Sequence, residues 1–439
     1  MIDDLRALYA SGVRRALLVG PTGCGKSTIV RYMLRDTKKR VLILTHRAEI
    51  LRQLSGALSR AHGKIVPGVA LSDDLIQAGM VATVSRRLDK LPHFDFVISD
   101  EAHLSMADGW RRILERYAGA YHLGMTATPI RLDGRGLGNH YQSIVEGPKP
   151  RELVANGYLS PLVSFAPPVP VMKFSKIGGD FNLKELESVF NRPKITGDAI
   201  EHFKKHAMNR KTLVWCCTRA HAQKVAEDFR AAGFERTTYV DGKTDSAERE
   251  KIFSDFKSGA AQILVSVDLA TTGLDVPDTS CGIMLRATES EALFIQQAGR
   301  LMRKADGKTE AILLDHVGNT LRHGCADADR EWELTCDRKR KKGVTPVKMC
   351  PVCFYALAPS VMECPDCGHI FEFKPRVELS SGKGELSSVD IEARRRNRAR
   401  EIAQAKSFSE FRILAIKYGY KPGWAWHMWK QRKVKNDAY

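Results

Sequence analysis

The stretch Ala16–Thr28, ALLVGPTGCGKST, decides how the rest of the chain is read. Residues Ala16–Gly20 are apolar or glycine and read as a buried strand. Gly20-Pro-Thr-Gly-Cys-Gly-Lys-Ser27 then matches G-x-x-x-x-G-K-[ST], and a helical run starts at once. Glycines at 20, 23 and 25 let the backbone curl until its N–H groups converge on an anion at a helix N-terminus. Lys26 is then positioned for the β- and γ-phosphates of a nucleotide, and Ser27 for Mg²⁺. Thr22, Gly23, Gly25 and Thr28 complete the candidate nucleotide contacts. The alternative, a chance glycine-rich turn, requires neither the strand before nor the helix after.

A second strand candidate, Phe94–Ser99, runs into Asp100-Glu-Ala-His103. Paired acids at the end of an apolar strand suit a Mg²⁺-dependent nucleotidase. Asp100 holds the ion through water, and Glu101 orients and deprotonates the attacking water. The plainer alternative is a polar strand end that caps the next helix. Around these motifs, residues 1–150 alternate strands (Ala16–Gly20, Val41–Leu44, Met80–Val84, Phe94–Ser99, Tyr121–Met125) with helices (Lys26–Arg35, Arg47–Ala61). Such alternation predicts a parallel sheet covered on both faces, with chemistry beyond the strand C-termini.

Composition bounds the rest. The chain has 439 residues, 43% hydrophobic, enough for two or three domains with real cores. It has no apolar run of the ~18 residues a membrane span needs, and the opening MIDDLRALYASG lacks the apolar core of a secretory signal. A soluble, cytoplasmic protein is expected. Net charge is +18, and residues 331–439 hold 22 Lys and Arg against 13 Asp and Glu. That balance suggests a polyanion partner, most simply nucleic acid. Solubility alone is the other account of it.

Further motifs follow in an order that resembles the superfamily 2 helicases. Asp100-Glu-Ala-His103 is similar to motif II and Gly124-Met-Thr-Ala-Thr-Pro129 to motif III. Leu44-Thr-His-Arg-Ala-Glu-Ile-Leu51 resembles motif Ia and Val81-Ala-Thr-Val84 motif Ib. Leu213-Val-Trp-Cys-Cys217 resembles motif IV, Ala270-Thr-Thr-Gly-Leu-Asp-Val-Pro277 motif V, and Gln296-Gln-Ala-Gly-Arg-Leu-Met-Arg303 motif VI. Within that superfamily the chain resembles the RadD-like helicases of bacteria and phages, sharing Leu314-Asp-His-Val-Gly-Asn319, Arg322-His-Gly324 and late cysteine pairs. The resemblance spans about residues 13–320. It implies two RecA-like parallel-sheet lobes of P-loop NTPase type. The family's adenine-reading Gln upstream of the phosphate loop has no counterpart, since the first glutamine is Gln53.

The resemblance also implies roles. Arg300 and Arg303, three apart and so on one face of a helix, become arginine fingers that reach the γ-phosphate; a solvated helix face is the alternative. Gly273 and Asp275 face nucleotide. His103, Thr126, Thr128 and Gln296 couple nucleotide state to lobe closure. Thr45, Arg47, Thr83, Thr218 and Thr271 contact the nucleic-acid backbone, each being equally an ordinary strand or turn residue.

Domain organisation follows from composition shifts. Residues 1–150 are the first lobe. Prolines 161, 167, 168 and 170 with Gly178-Gly179 mark 151–195 as a linker or crossover. Residues 196–330 resume the alternation, with strands at Thr212–Cys216, Thr237–Val240, Gln262–Val267, Gly282–Leu285 and Ala311–Leu314 and helices at Ala220–Ala232, Ala247–Lys257 and Glu291–Met302. The run Arg338-Lys-Arg-Lys-Lys342 is a linker or a phosphate-tracking patch. In 331–375, Cys350-Pro-Val-Cys353 and Cys364-Pro-Asp-Cys367 have the spacing for one tetrahedral Zn²⁺, with Gly368 suited to the knuckle turn. Residues 376–439 begin Ser- and Gly-rich, then give a basic helix, Ile391–Lys406, and a block with Tyr418, Tyr420, Trp424, Trp426 and Trp429. These rings either stack bases or form a small helical core.

The expected function is nucleic-acid-dependent ATP hydrolysis that drives translocation, unwinding or remodelling in repair, recombination or replication. DNA is expected in preference to RNA, with Mg²⁺–ATP and structural Zn²⁺ as cofactors. Single-strand-binding or repair proteins are expected partners. Two alternatives remain: a nucleotide-switched binding or strand-annealing factor, and the motor subunit of a nuclease or repair assembly.

Overall fold

The computed structural model describes the chain apart from residues 47, 59, 106, 132–133, 167–174, 178–179, 191–192, 268–273, 336–346, 372–390, 406, 422 and 437–439. The chain divides into two compact units, Met1–Glu372 and Phe373–Tyr439.

The first lobe runs α1 (Ile2–Ala10), β1 (Arg15–Val19), α2 (Lys26–Leu34), β2 (Val41–Thr45), α3 (Ala48–Ala57), β3 (Gly63–Ile65), β4 (Ile76–Met80), α4 (Val81–Arg86), β5 (Phe96–Asp100), α5 (Asp108–Arg116), β6 (Tyr121–Thr126) and β7 (Ser143–Glu146). Its sheet has the order β3-β4-β2-β5-β6-β1-β7, every pair parallel. Strands such as RALLV are apolar almost throughout because both faces are covered. One face packs Leu18, Ile43 and Leu123 with Ile29 and Val30 of α2. The other packs Leu42, Leu44 and Val97 with Trp110 and Ile113 of α5.

One strand differs from the sequence expectation. Val81–Val84 is the start of α4, and the strand is Ile76–Met80 just before it. A buried polar side chain disguises that strand: the Gln77 amide nitrogen donates to Ser72 O at 2.7 Å and Asp74 O at 3.2 Å. Val81 and Val84 are buried from a helix, so a β-branched run served a helical face.

The second lobe contains α6 (Pro150–Ala155), β8 (Leu162–Phe165), β9 (Lys176–Ile177), β10 (Asp180–Phe181), α7 (Leu183–Phe190), α8 (Pro193–Ala207), β11 (Thr212–Trp215), α9 (Arg219–Ala231), β12 (Thr237–Val240), α10 (Ser246–Ser258), β13 (Ile263–Ser266), β14 (Cys281–Met284), α11 (Glu291–Leu301), β15 (Ala311–Asp315) and α12 (Asn319–His323). Its parallel sheet has the order β12-β13-β11-β14-β15-β8. The stretch read as a linker from its prolines therefore supplies an edge strand, β8. It also gives Phe181 and Leu186 to this lobe's core. Gly178-Gly179 and prolines 167, 168 and 170 lie outside the described residues.

Asp315 and Asn319 of the Leu314–Asn319 motif hold this lobe together. Asp315 accepts from Val317 N (3.2 Å) and Thr320 N (2.5 Å), starting α12. Asn319 accepts from Thr288 N (3.0 Å) and donates to Arg286 O (2.9 Å), pinning the loop after β14.

Among the described residues that precede the cysteine hairpin, the chain crosses between the lobes twice. The first crossing follows β7; the second returns at 326–335 to the first lobe. There Gly138 N donates to Leu334 O (2.9 Å) and Trp332 packs near Leu17 and Tyr141. The crossings also bind each other. Lys149 Nζ donates to Arg330 O at 2.7 Å, Trp332 N to Glu146 Oε1 at 3.2 Å, and Arg151 N to Asp329 Oδ1 at 3.4 Å. Elsewhere in the cleft, Arg52 of α3 pairs with Glu250 of α10 at 2.8 Å.

After the second crossing, β16 (Lys348–Met349) and β17 (Ala356–Leu357) form a small hairpin. It docks on β8: Ala166 N donates to Phe354 O at 2.9 Å, and the Tyr355 ring meets Phe165 edge-on at 5.5 Å. This covers an edge that is otherwise a template for unwanted pairing.

The second unit is a three-helix domain of α13 (Ile391–Gln404), α14 (Phe408–Tyr418) and α15 (Trp424–Asn436). Ser407 and Glu410 form a capping box on α14, and Gly419, at φ 65°, ends it. Arg432 of α15 donates to the carbonyls of Ile402, Ala403 and Ala405 at the end of α13. Glu401 accepts from Lys417 (2.7 Å) and Tyr418 (2.7 Å). Among the described residues, no helix is long and apolar enough to cross a membrane.

Candidate nucleotide site

The phosphate loop joins β1 to α2 at the C-terminal edge of the first sheet, and Gly23 (φ 88°) and Gly25 (φ 87°) take left-handed conformations. Gly25 caps α2 without any side-chain hydrogen bond, so no side chain claims the helix's first N–H groups. Lys26 is folded over the loop, donating to Gly20 O (2.8 Å) and Pro21 O (3.0 Å). Ser27 and Thr28 are exposed.

Asp100 ends β5, and Glu101 follows at φ 54°, rare for a residue with a Cβ and of order 1–3 kcal/mol in strain. Burial pushes the Asp100 carboxyl up to about 7; the Glu101 charge adds to that, and Lys26 opposes it. Burial also raises Glu101, which is stabilised as a carboxylate by Lys26 of its own lobe and by Arg300 and Arg303 of the other. These residues fit Mg²⁺ and nucleotide phosphates. An Asp100 carboxyl that resists ionisation is relieved by a divalent cation, and an uncapped helix N-terminus with a lysine suits phosphate.

The second lobe meets this loop closely. A Cβ at Gly299 would stand 3.1 Å from Thr22 Cβ, and one at Gly23 would stand 3.1 Å from Leu159 Cδ2 and 3.6 Å from Arg303 Cγ. Arg300, buried on α11, donates to Leu274 O. Arg303 pairs with Asp275. The expectation that both arginines share a helix face is corrected: α11 ends at Leu301, and Arg303 lies past it in a bridge with Leu159. Gly299 lets the helix sit on the loop, and the chain then turns Arg303 over Gly23.

The four residues expected to couple the lobes lie together. His103 is buried and held near pKa 4 by that burial, so it is neutral. Its Nδ1 donates to Thr126 Oγ1 at 3.2 Å and lies 3.3 Å from Glu101 Oε2. Thr126 Oγ1 donates to Thr128 O (2.9 Å) and accepts from Thr128 N (3.1 Å). Across the cleft, Gln296 Nε2 donates to His103 Nε2 at 3.4 Å and to Thr128 Oγ1 at 3.5 Å.

The expected nucleic-acid contacts are not gathered in the same way. Thr45 and Thr83 are buried. Thr218 caps α9, accepting from His221 N at 3.2 Å and donating to Glu187 at 2.7 Å. Arg47, Thr271, Gly273 and the basic run 338–342 lie outside the described residues.

Cys350, Cys353, Cys364 and Cys367 bring their Sγ atoms within 4.8 Å of one another. Their two turns match. Phe354 N donates to Cys350 O (3.0 Å) and Gly368 N to Cys364 O (2.8 Å), and both donors have positive φ, 64° and 70°. Four converging thiols are the donor set for tetrahedral Zn²⁺.

Two contributors were missed from sequence. Lys308 is buried and donates to the carbonyls of Pro277 (2.9 Å), Thr279 (2.6 Å), Leu301 and Arg303 (2.9 Å). It ties the segment after motif V to the end of α11. Leu159 packs on Gly23. Nothing in the local pattern marks either residue.

Two parallel-sheet lobes that close on one phosphate loop define a two-lobed nucleotide motor. Residues 1–131 match the family described as type III restriction enzyme, res subunit, and residues 194–305 match the helicase conserved C-terminal domain. A 51.5 kDa protein of a Lactococcus phage (isolate 7-9) is 32% identical over 384 residues, 86% of this chain and 82% of its own length. A candidate ATP-dependent helicase, IRC3, of Saccharomyces cerevisiae (strain ATCC 204508 / S288c) is 27% identical over 72% of this chain, but the match spans only 50% of its length. Among solved structures, a fragment of a candidate HsdR subunit of a type I restriction enzyme from Vibrio vulnificus YJ016 superposes with TM-score 0.59 at 22% identity. It covers 74% of this chain and 64% of that one, and shows the fold. The chain belongs to the superfamily 2 helicases.

Proposed function

We propose that the chain hydrolyses ATP with Mg²⁺ in response to DNA and uses the cycle to translocate along or remodel it. The observation that carries this is convergence at one cleft. Arg303 of the second lobe lies over Gly23 of the phosphate loop, and Glu101, His103 and Gln296 form one chain of contacts across it. Lys26 and the loop N–H groups hold the phosphates, with Gly20, Thr22, Gly23, Gly25 and Thr28 shaping the cradle. Ser27 and Asp100 would hold Mg²⁺, which neutralises charge developing on the phosphoryl group. Glu101 orients and deprotonates water, Arg300 and Arg303 stabilise the leaving charge, and His103, Thr126, Thr128 and Gln296 report closure. DNA is favoured over RNA because a relative, 24% identical over 72% of this chain, is named a DNA 3'-5' translocase. The four cysteines hold a structural Zn²⁺ that lets the hairpin fold.

A second reading, the motor subunit of a larger assembly, is favoured by the HsdR likeness, HsdR being one subunit of a type I enzyme. Hydrolysis measured with single-stranded, duplex and forked DNA and RNA tests the first reading. Stimulation by DNA is expected. Glu101→Gln should retain nucleotide binding and lose turnover. Wild-type turnover in that variant sinks the assignment.

A further inference from the structure

We infer that the C-terminal three-helix unit is a separate binding site for single-stranded DNA, with Trp426 of α15 as its stacking surface. The inference rests on reading the chain as a DNA motor and adds a site outside the two lobes. Three tryptophans lie on α15, and the fold uses them differently. Trp424 is stacked on Tyr420, centroids 4.0 Å apart and planes 14° apart, and Trp429 packs beside Phe408 at 5.7 Å. Both border the buried cluster of Phe411, Leu414 and Ala425. Trp426 stays 50% exposed. Trp426, His427, Lys430 and Gln431 are all exposed and fall at i, i+1, i+4 and i+5, one side of the helix, away from buried Ala425. Lys430 Nζ sits 4.8 Å from the Trp426 ring centroid. That places a cation beside an exposed indole.

Charge identifies the occupant. Residues 391–436 contain 13 Lys and Arg against 3 Asp and Glu. Some of these cations serve the fold: Arg398 covers Tyr420, Lys417 binds Glu401, and Arg432 caps α13. Arg400, Arg412, Lys421 and Lys430 are exposed and make no ion pair among the described residues. A flat ring beside Lys430, in a unit that carries further unpaired cations, suits a ligand with both π-faces and phosphates. Single-stranded DNA offers both, whereas a duplex has its base faces closed by stacking.

The test is anisotropy of a labelled oligo-dT with the full chain, without nucleotide. Trp426→Ala should weaken binding about tenfold, and Trp426→Phe should restore most of it, because a π-face remains. Lys430→Gln should lower the log–log salt slope by about one. Unchanged oligo-dT affinity in Trp426→Ala overturns the inference. So does Trp426-dependent binding to phosphatidylglycerol vesicles with oligo-dT affinity unaltered, which assigns the ring to a membrane. The motor reading fails separately, when DNA leaves wild-type hydrolysis unstimulated while Trp426→Ala still weakens oligo-dT binding.

Discussion

Gly299 of the second lobe lies directly on Thr22 of the phosphate loop, with room for hydrogen but little more: a Cβ there would stand 3.1 Å from both Thr22 Cβ and Oγ1. The lobes thus touch at the rim of the nucleotide site through a residue without a side chain. Gly299→Val should hold them apart. Expected is a turnover loss of tenfold or more with little change in affinity for a fluorescent nucleotide, since closure is completed only in the reacting state. An equal loss in both would place the effect on binding.

Arg300 and Arg303 approach the site by different routes, one buried on α11 and one past its end. Arg303→Ala and Arg300→Ala should each lower DNA-stimulated turnover by about 10³-fold or more, the scale of arginine fingers elsewhere. Full stimulated hydrolysis in both variants would remove the second lobe from the chemistry.

Lys308 Nζ lies within hydrogen-bond distance of four carbonyls and shares its three N–H groups among them. Lys308→Met keeps the stem but leaves those oxygens without their donor. Denaturant unfolding should show a loss of about 3 kcal/mol, at the upper end for buried unsatisfied groups. Because Leu301 O and Arg303 O are among them, turnover should fall as well. Unaltered stability would mean that water replaces the ammonium.

Histidines set an acid limit. His122 Nε2 donates to Tyr117 O (2.8 Å), so its Nδ1 accepts from His140 Nε2 (2.9 Å), and a second proton on both rings would set two N–H groups against each other across that contact. Burial, then the His122 charge, lowers His140 from 6.5 to about 3, and burial lowers His316 to about 3. Between those values and 6.5 the unfolded chain binds more protons than the folded one. Stability is therefore full above about pH 6.5 and falls with acidification, by up to ~1.4 kcal/mol per pH unit for each such histidine. Urea midpoints at pH 7.5, 6.5 and 5.5 should decline in that order, and less steeply in His140→Asn. A flat profile would show that these rings protonate freely in the fold.

The thiol cluster sits beside a sheet edge. Cys353→Ser with Cys364→Ser should abolish an expected stoichiometry of about one zinc per chain. It should also raise hydrogen exchange in β8, because the hairpin held by the cysteines covers that strand. Loss of zinc with β8 still protected would show that the hairpin docks without metal.

The phosphate loop and the acid pair were legible because their chemistry demands fixed residue types at fixed spacing within a strand–turn–helix. β1, β2, β5 and β6 were legible for a related reason, being mostly apolar and covered on both faces. β4 was not, because Gln77 places its amide nitrogen on local carbonyls and so hides in a strand. β8 was masked by neighbouring prolines. Arg303 was assigned to a helix that stops two residues earlier, since a periodic pattern does not show where a helix ends. Lys308 and Gly299 act through distant partners, and separation along the chain leaves no local trace. The tryptophans were visible, but which ring faces solvent depends on α14 packing against α15.

The two crossings between the lobes have a mechanical consequence. They run side by side, joined through Lys149, Arg151, Glu146 and Trp332. A single tether would let one lobe twist or slide over the other; a doubled, cross-bonded one restrains both freedoms. The pair Arg52–Glu250, which bridges the cleft elsewhere, is then a contact that opening of the lobes must break. Opening and closing of the nucleotide cleft is thus coupled to a seam made of backbone groups and carboxylates, where a single substitution such as Lys149→Met would loosen the hinge without touching the nucleotide.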